Sequence, residues 1–494
     1  MKRFWLVLLS LGLFMAFSVS AYAVDIKVGA EYYAAGLYLN KTSVNAGYDD
    51  DPYDNPSTAF FFQRLRVGTD FIVSPCLKLV TRFDAMERIW GGARSSGVDA
   101  YTPPEFLQES WSAGSRAENE NIAFDVAYIA YTSPIGLFEV GYMPDYDFGT
   151  VFADMGEKMY NGQIKYFIQK GPFIGFLGYS KVYEKNTSYV PSSYPAVDTD
   201  YNSYRIAGIY KFNSAQAKGE VGGLLLYDRN ALYKGGFSPI VIHTPGPTFN
   251  PNLLQNIYVL DPYVKAKIGP VDVQAEVLYY FGDAAKWEDG FPVNNVSISA
   301  LSAFVDANAN FGMFNVGGSI AYLSGDNPDT ADKLEGSGAA YAVNNGGWNY
   351  NPCLILFNTE TTAYWVGPIT GHTNSVVNNP MSNAWFLQGR VGVKPTAQWD
   401  INLALSYAFA DRKPQNPANN SANYPYQSHN TYAGGIYGTE VDLTATYKIT
   451  NNLSYMLGAG YLFTGDYFKG FDRAGQGYEI DNDYLLINKL TLSF

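Results

Sequence analysis

Two residue types are scarce in this chain. Of its 494 residues, only Cys76 and Cys353 are cysteines and only His243, His372 and His429 are histidines. Two thiols cannot staple a chain of this length, which excludes a disulfide scaffold as the main source of stability. The histidines fall in polar connecting segments without ligand spacing, so a zinc-type site has no support. G-x-S-x-G, Walker-type and C-x-x-C-H patterns are missing as well, and neither catalysis nor a cofactor is signalled. Positive charge is also in deficit, with 33 Lys and Arg against 46 Asp and Glu. A polyanionic partner such as nucleic acid is therefore not expected.

Long apolar runs are confined to the first residues. Lys2 and Arg3 precede an apolar run from Phe4 to Phe17, and the small-residue triplet Ala21, Tyr22, Ala23 follows. This is the pattern of a secretory signal peptide over 1–23, cleaved after Ala23. The run is shorter than the roughly 20 residues that a spanning helix requires. Without Lys2 and Arg3 the charge balance becomes 31 − 46 = −15.

Aromatic residues and glycine are abundant: 41 Tyr, 31 Phe and 48 Gly. Many aromatics without a long apolar run point to β-structure. The dominant pattern is period-two alternation, which sends successive side chains to opposite faces of a strand. In 26–34, Ile26, Val28, Ala30, Tyr32 and Ala34 share one face, opposite Asp25, Lys27, Gly29 and Glu31. In 271–281, Val271, Val273, Ala275, Val277, Tyr279 and Phe281 oppose Asp272, Gln274, Glu276 and Tyr280. The same alternation runs through 64–71, 77–84, 399–407 and 453–461, and no apolar face among these carries a charge. Phase is unclear only after Pro172.

Short turns such as Ser74 to Cys76 and Gly269-Pro270 alternate with long polar connections at 41–58, 91–119, 185–201, 229–253, 324–383, 411–435 and 464–482. An all-β, closed transmembrane antiparallel β-barrel has this asymmetry of short turns on one side and long loops on the other. About eighteen strands are expected, with sixteen as the alternative, in a single domain over 24–494. In lipid, a strand protein spans only as a closed barrel, because every backbone polar group must be satisfied internally. The apolar faces then point outward and the charged faces inward. A lipid-facing Lys or Arg at mid-depth costs roughly 2–4 kcal/mol. The acid-rich "YDDDPYDN" at 48–55 lacks the spacing of an EF-hand and reads as a solvated loop. Cys76 is expected in a short turn and Cys353 in a long loop, too far apart for a disulfide.

Taken together, the signal, the alternation, the turn asymmetry and the last residues make the sequence resemble the Gram-negative outer-membrane porins. "DYLLINKLTLSF" at 483–494 carries Phe494, Leu492, Leu490, Leu486 and Tyr484 at alternate positions, with Asn488 the one polar departure. In that family such a final strand is read by the barrel-assembly machinery. The resemblance also implies an integral position among outer-membrane lipid and lipopolysaccharide, with both termini periplasmic, and commonly a homotrimer. "PDYDFGTVFAD" at 144–154 falls in the third long connection. Similar porins fold that loop into the lumen, where acids face an arginine cluster. Asp145, Asp147, Asp154 and Glu157 are the implied acidic side, and Arg64, Arg66 and Arg82 the basic side. The implied function is a water-filled channel for passive diffusion of small hydrophilic solutes and ions, with no enzymatic activity. A non-porin barrel that sheathes a partner protein or exports a polysaccharide is the alternative. A phospholipase needs a lipid-level Ser and His, and no His lies in an expected strand.

Overall fold

A computed structural model of the chain describes residues 24–42, 44–46, 57–90, 122–145, 148–154, 160–184, 199–232, 253–287, 294–327, 329–330, 332–336, 349–363, 365–366, 381–412, 434–469 and 479–494. The expected signal peptide at 1–23, the acid-rich 48–55, Asp147, Glu157 and all three histidines lie outside the described residues.

Eighteen long strands build the wall. They are β1 (Asp25–Leu39), β2 (Thr58–Ser74), β3 (Leu77–Ile89), β4 (Ile122–Ser133), β5 (Gly136–Pro144), β6 (Tyr160–Lys170), β7 (Phe173–Tyr183), β8 (Tyr201–Asn213) and β9 (Ala217–Asn230). The other half comprises β10 (Leu253–Ile268), β11 (Val271–Trp287), β12 (Val296–Phe311), β13 (Phe314–Leu323), β14 (Ala384–Val393), β15 (Trp399–Ala410), β16 (Ile436–Lys448), β17 (Leu453–Thr464) and β18 (Asp483–Ser493). Each is antiparallel to its neighbours in sequence. β1 pairs with β2 along its whole length, Asp25 opposite Ile72 and Leu39 opposite Thr58. On its other edge β1 pairs with β18, from Glu31 opposite Ser493 to Leu39 opposite Leu485. The sheet is thus a closed antiparallel barrel of eighteen strands, as the alternation predicts, and its seam leaves no edge.

Short turns, at 75–76, 134–135, 171–172, 269–270 and 312–313 among others, gather at one end, and the long connections at the other. Outward rows are apolar across the middle of the wall: Ile129, Val140, Ile164, Leu177, Ile206, Val305, Ile320, Leu405, Leu457 and Leu486 are all exposed. A water-soluble barrel could not leave a continuous belt of this kind uncovered, whereas lipid is its natural solvent. Aromatic rings stack across adjacent strands at the long-loop end of this belt. Tyr204, Tyr227, Tyr258 and Phe281 lie with centroids 4.8–6.0 Å apart.

The phase that is illegible after Pro172 resolves in β7. Phe173, Leu177 and Tyr179 point outward, while Phe176 is buried inside against Phe167 at 5.0 Å. Apolar side chains on both faces erase the contrast that alternation depends on. Asn488, the polar member of the outward row on β18, also gains a local account. A Cβ on Gly36 would come within 2.8 Å of its Nδ2 and 2.7 Å of the Phe61 ring. The missing side chain makes a notch in which Asn488 donates a long 3.4 Å hydrogen bond to the Gly36 carbonyl.

Phe494 closes the seam through its backbone. Its N–H donates to Ala30 O at 3.0 Å and its carbonyl accepts from Ala30 N–H at 2.8 Å, while its ring is exposed on the outer face. Phe494→Ala keeps both bonds and deletion of Phe494 removes them. The deletion is expected to be less stable than Phe494→Ala by about 1–3 kcal/mol. Urea titration of both variants folded in lipid vesicles checks this, and equal midpoints would count against a backbone role.

Candidate functional site

The lumen is the only enclosed space a barrel offers, and here two long connections enter it. Residues 148–154, from the connection after β5, lie against β10–β12. Residues 349–363 and 365–366, from the connection after β13, lie against β14–β18 and β2. Each is held by a carboxylate projecting from the inner wall.

Glu276 on β11 anchors the first loop. Its Oε1 accepts the Thr150 N–H at 3.0 Å, and its Oε2 accepts the Ala153 N–H at 3.2 Å and the Thr150 hydroxyl. Gly149 makes this approach feasible. It adopts φ +81°, and a Cβ there would sit 1.6 Å from Glu276 Oε1, so no other residue fits. Phe152 is then fully buried, stacked on Phe304 of β12 with centroids 5.1 Å apart and planes within 6°.

Glu440 and Asp442 on β16 anchor the second loop. Glu440 accepts the Ile355 and Leu356 N–H groups, one on each oxygen and both at 2.7 Å, and Asp442 Oδ2 accepts Leu354 N–H at 3.3 Å. Three consecutive amides of an irregular segment would otherwise be buried without partners. A hydrogen bond contributes roughly 0.5–1.5 kcal/mol net, and an orphaned buried group costs about 1–3 kcal/mol. Asn351 ties the loop to itself by accepting from Thr359 N–H at 2.6 Å and Thr359 Oγ1 at 2.9 Å. Asn358 donates to Cys353 O at 2.8 Å. Ile355, Leu356 and Phe357 are fully buried.

The loops also meet each other. Asn349 N–H donates to Asp154 O at 3.2 Å, and Tyr350 packs edge-on against both Phe152 and Phe304, at 5.5 and 5.0 Å. Around them the inner wall is apolar in its long-loop half: Leu37, Leu39, Phe62, Leu224, Leu226, Ile257, Val259, Leu278, Ile298 and Phe386 are buried in one cluster with the loops. Sequence reasoning expects charge on the inward faces and misses this core. Its signal is visible in stretches such as 224–227 and 277–281, where both faces of a strand are apolar.

Asp145 forms an ion pair with Arg205 of β8 and accepts from Ser180 at 3.3 Å. Asp154 enters through its backbone carbonyl contact with Asn349. Arg66 makes a two-point bond to Asp84 within the wall, at 2.7 and 2.8 Å. Arg64 lies 3.8 Å from Glu31 and over the Tyr33 ring at 5.1 Å. Arg82 donates to the Tyr160 hydroxyl and covers that ring. The three arginines therefore share one region of the inner wall on β2 and β3, whereas Asp145 is engaged by Arg205. Tyr484, Leu486, Leu490 and Leu492 occupy the outward row of β18, and Lys489 points into the lumen over Tyr33.

Both cysteines are free: Cys76 is exposed in its turn and Cys353 is buried in the second loop. One ligand atom each from Cys353, Glu440 and Asp442 lies within 4.8 Å of the others, the sole such group among the described residues. Both Glu440 oxygens already hold amides, which explains the carboxylate without a metal. Burial, with Glu440 and Asp442 beside it, pushes the Cys353 thiol well above its ordinary range and keeps it protonated.

No protein-family model matches the sequence, and no curated protein matches it. The fold is similar to the outer membrane protein OpdK from Pseudomonas aeruginosa, with TM-score 0.45 and 10% identity over 95% of this chain and 99% of that one. It is similar also to OccAB4 from Acinetobacter baumannii, with TM-score 0.44 and 12% identity over 96% and 99%. OmpF from Salmonella typhi gives 0.39 and 8% over 95% and 98%. These neighbours are outer-membrane β-barrel porins.

Cys353 offers a direct probe of the second anchor. In a Cys76→Ser background the folded barrel is expected to take up no maleimide, because the remaining thiol is buried and protonated. Adding Glu440→Ala orphans two amides, loosens the loop and makes Cys353 react. Mass spectrometry of the labelled protein decides, and a thiol that stays silent in the double variant removes Glu440 from its anchoring role.

Proposed function

We propose that this protein is an outer-membrane channel through which small hydrophilic solutes and ions pass by passive diffusion, along a lumen narrowed by two inward loops. The observation that carries the reading is the inverted barrel: an apolar belt outside, and inside it ionised pairs such as Arg66 with Asp84 and Arg390 with Asp306. Charged walls hold water and conduct polar solutes, and the loops set how large a solute passes. Orientation follows from the same asymmetry, with the short turns periplasmic and the long connections external. Recognition of Phe494 and its outward row by the barrel-assembly machinery, contact with lipopolysaccharide, and homotrimer formation belong to this reading.

A constriction field also belongs to it. The acidic side is Asp145, Asp147, Asp154 and Glu157, and the basic side Arg64, Arg66 and Arg82. Opposed charges in a narrow, weakly screened throat orient dipolar solutes. Asp145 and Arg66 each have a closer partner of opposite charge, so their contribution to this field is reduced.

The buried apolar cluster around Ile355, Leu356 and Phe357 favours a second reading, a scaffold or specialised conduit whose lumen opens only with a partner. Planar-bilayer recording separates the two. A channel gives stepwise conductance from the purified barrel alone, and replacing Ile355, Leu356 and Phe357 by Ser raises it by about twofold or more. A silent barrel that co-purifies with a periplasmic partner favours the conduit. In the same assay, Asn at 145, 147 and 154 together is expected to shift ion selectivity toward anions, and unchanged selectivity and channel size remove the constriction.

A further inference from the structure

The short-turn half of the lumen, away from the apolar core, carries an unbalanced set of charges. On β8, Arg205 reaches the inward loop, so alternation places Lys211 on the same inner face. Lys218 of β9 and Lys265 and Lys267 of β10 line a cavity of about 570 Å³, together with Asp272, Gln274 and Asp306. Lys218 lies directly opposite Lys267 in the strand register. Like charges placed so, with Cβ atoms about 4.5–5.5 Å apart, repel each other.

The acids of this cavity are already engaged. Asp272 holds Lys267, with both oxygens at 3.1 Å, and accepts from Asn310 at 3.3 Å. Asp306 is paired with Arg390 at 2.5 Å. Glu220 sits opposite both Lys211 and Lys265 in register and accepts from the Tyr263 hydroxyl at 2.9 Å, so its single charge is shared between two lysines with which it makes no ion pair. Lys265 Nζ lies over the Tyr263 ring at 5.3 Å. Among the described residues, Lys211, Lys218 and Lys265 make no ion pair, and all three are exposed to the lumen.

We infer that Lys211, Lys218 and Lys265 form an anion-binding subsite in the short-turn half of the lumen, for small solutes that carry phosphate-type charge. The inference rests on the channel reading for its place in transport. Four ammonium groups, those of Lys211, Lys218, Lys265 and Lys267, face the two carboxylates of Glu220 and Asp272, and this excess of positive charge between low-dielectric walls focuses a positive potential on the space between them. An anion there also relieves the opposition of Lys218 and Lys267. Lysine suits a transit site, because it meets phosphate as a point charge on a flexible stem and releases it more readily than a rigid two-point guanidinium.

The test uses the full-length barrel, with inorganic phosphate as the probe. Bilayer recordings under a potassium chloride gradient are expected to show chloride preferred over potassium, with phosphate reducing the chloride current. In the triple variant K211Q/K218Q/K265Q the chloride-to-potassium permeability ratio falls by about threefold or more and the phosphate effect disappears. The charge-retaining K211R/K218R/K265R keeps both. Calorimetric titration of phosphate into the detergent-solubilised proteins reads the subsite independently of conduction. Binding that is lost only in the Gln triple, from a barrel that does not conduct, sustains the subsite and overturns the channel. A conducting barrel that binds no phosphate, or whose selectivity the Gln triple leaves unchanged, overturns the subsite.

Discussion

Everything in this structure follows from one constraint, that a strand in lipid cannot leave its backbone hydrogen bonds unmade. β1 must therefore find a partner on both edges, and it does so with β2 and, across the whole length of the chain, with β18. Closure sets the rest. Once the sheet is a tube, each strand has one face toward lipid and one toward the lumen, and the usual relation of apolar interior to polar surface is inverted along Ile26 to Ala34 and its seventeen counterparts.

Inside the tube the same constraint returns in another form. Two irregular segments enter the lumen, and irregular backbone cannot satisfy its own amides. Glu276, Glu440 and Asp442 supply the missing acceptors, each from a strand already fixed by the barrel. A carboxyl group suits this task, because its two oxygens can take separate amides. The apolar side chains of the loops then find the apolar upper wall, so that Phe152, Phe304, Tyr350 and Phe386 form one cluster across the two loops and the sheet. Loops and wall stabilise one another. The charged half of the lumen, around Arg390, Asp306 and the lysines of β8–β10, is not covered by the described parts of the two loops.

Much of the wall was legible in residue order. Val271 to Val277 alternates so cleanly that its lipid and lumen faces can be assigned without coordinates, and the seam between 26–34 and 483–494 follows from the need to remove an edge. Legibility failed where both faces are apolar, as at Phe173 to Tyr179 and Leu224 to Tyr227, because periodicity carries information only through contrast. It failed also for long-range pairing of charges. Arg66 finds Asp84 on the neighbouring strand, a local relation, whereas Asp145 finds Arg205, sixty positions along the chain. Nothing in the composition of 144–154 points to that partner.

By itself, then, the sequence determined the class of fold, the number of strands to within two, the faces that meet lipid and the asymmetry of the two ends. These depend on local rules of period and turn length, which each strand expresses independently of its neighbours. Only the tertiary structure decided what fills the lumen: which connections fold inward, which carboxyl groups hold them, and which lysines make no ion pair among the described residues. These depend on register and curvature around the closed sheet, which bring residues such as Glu276 and Thr150 together across 126 positions, a relation that no local pattern encodes.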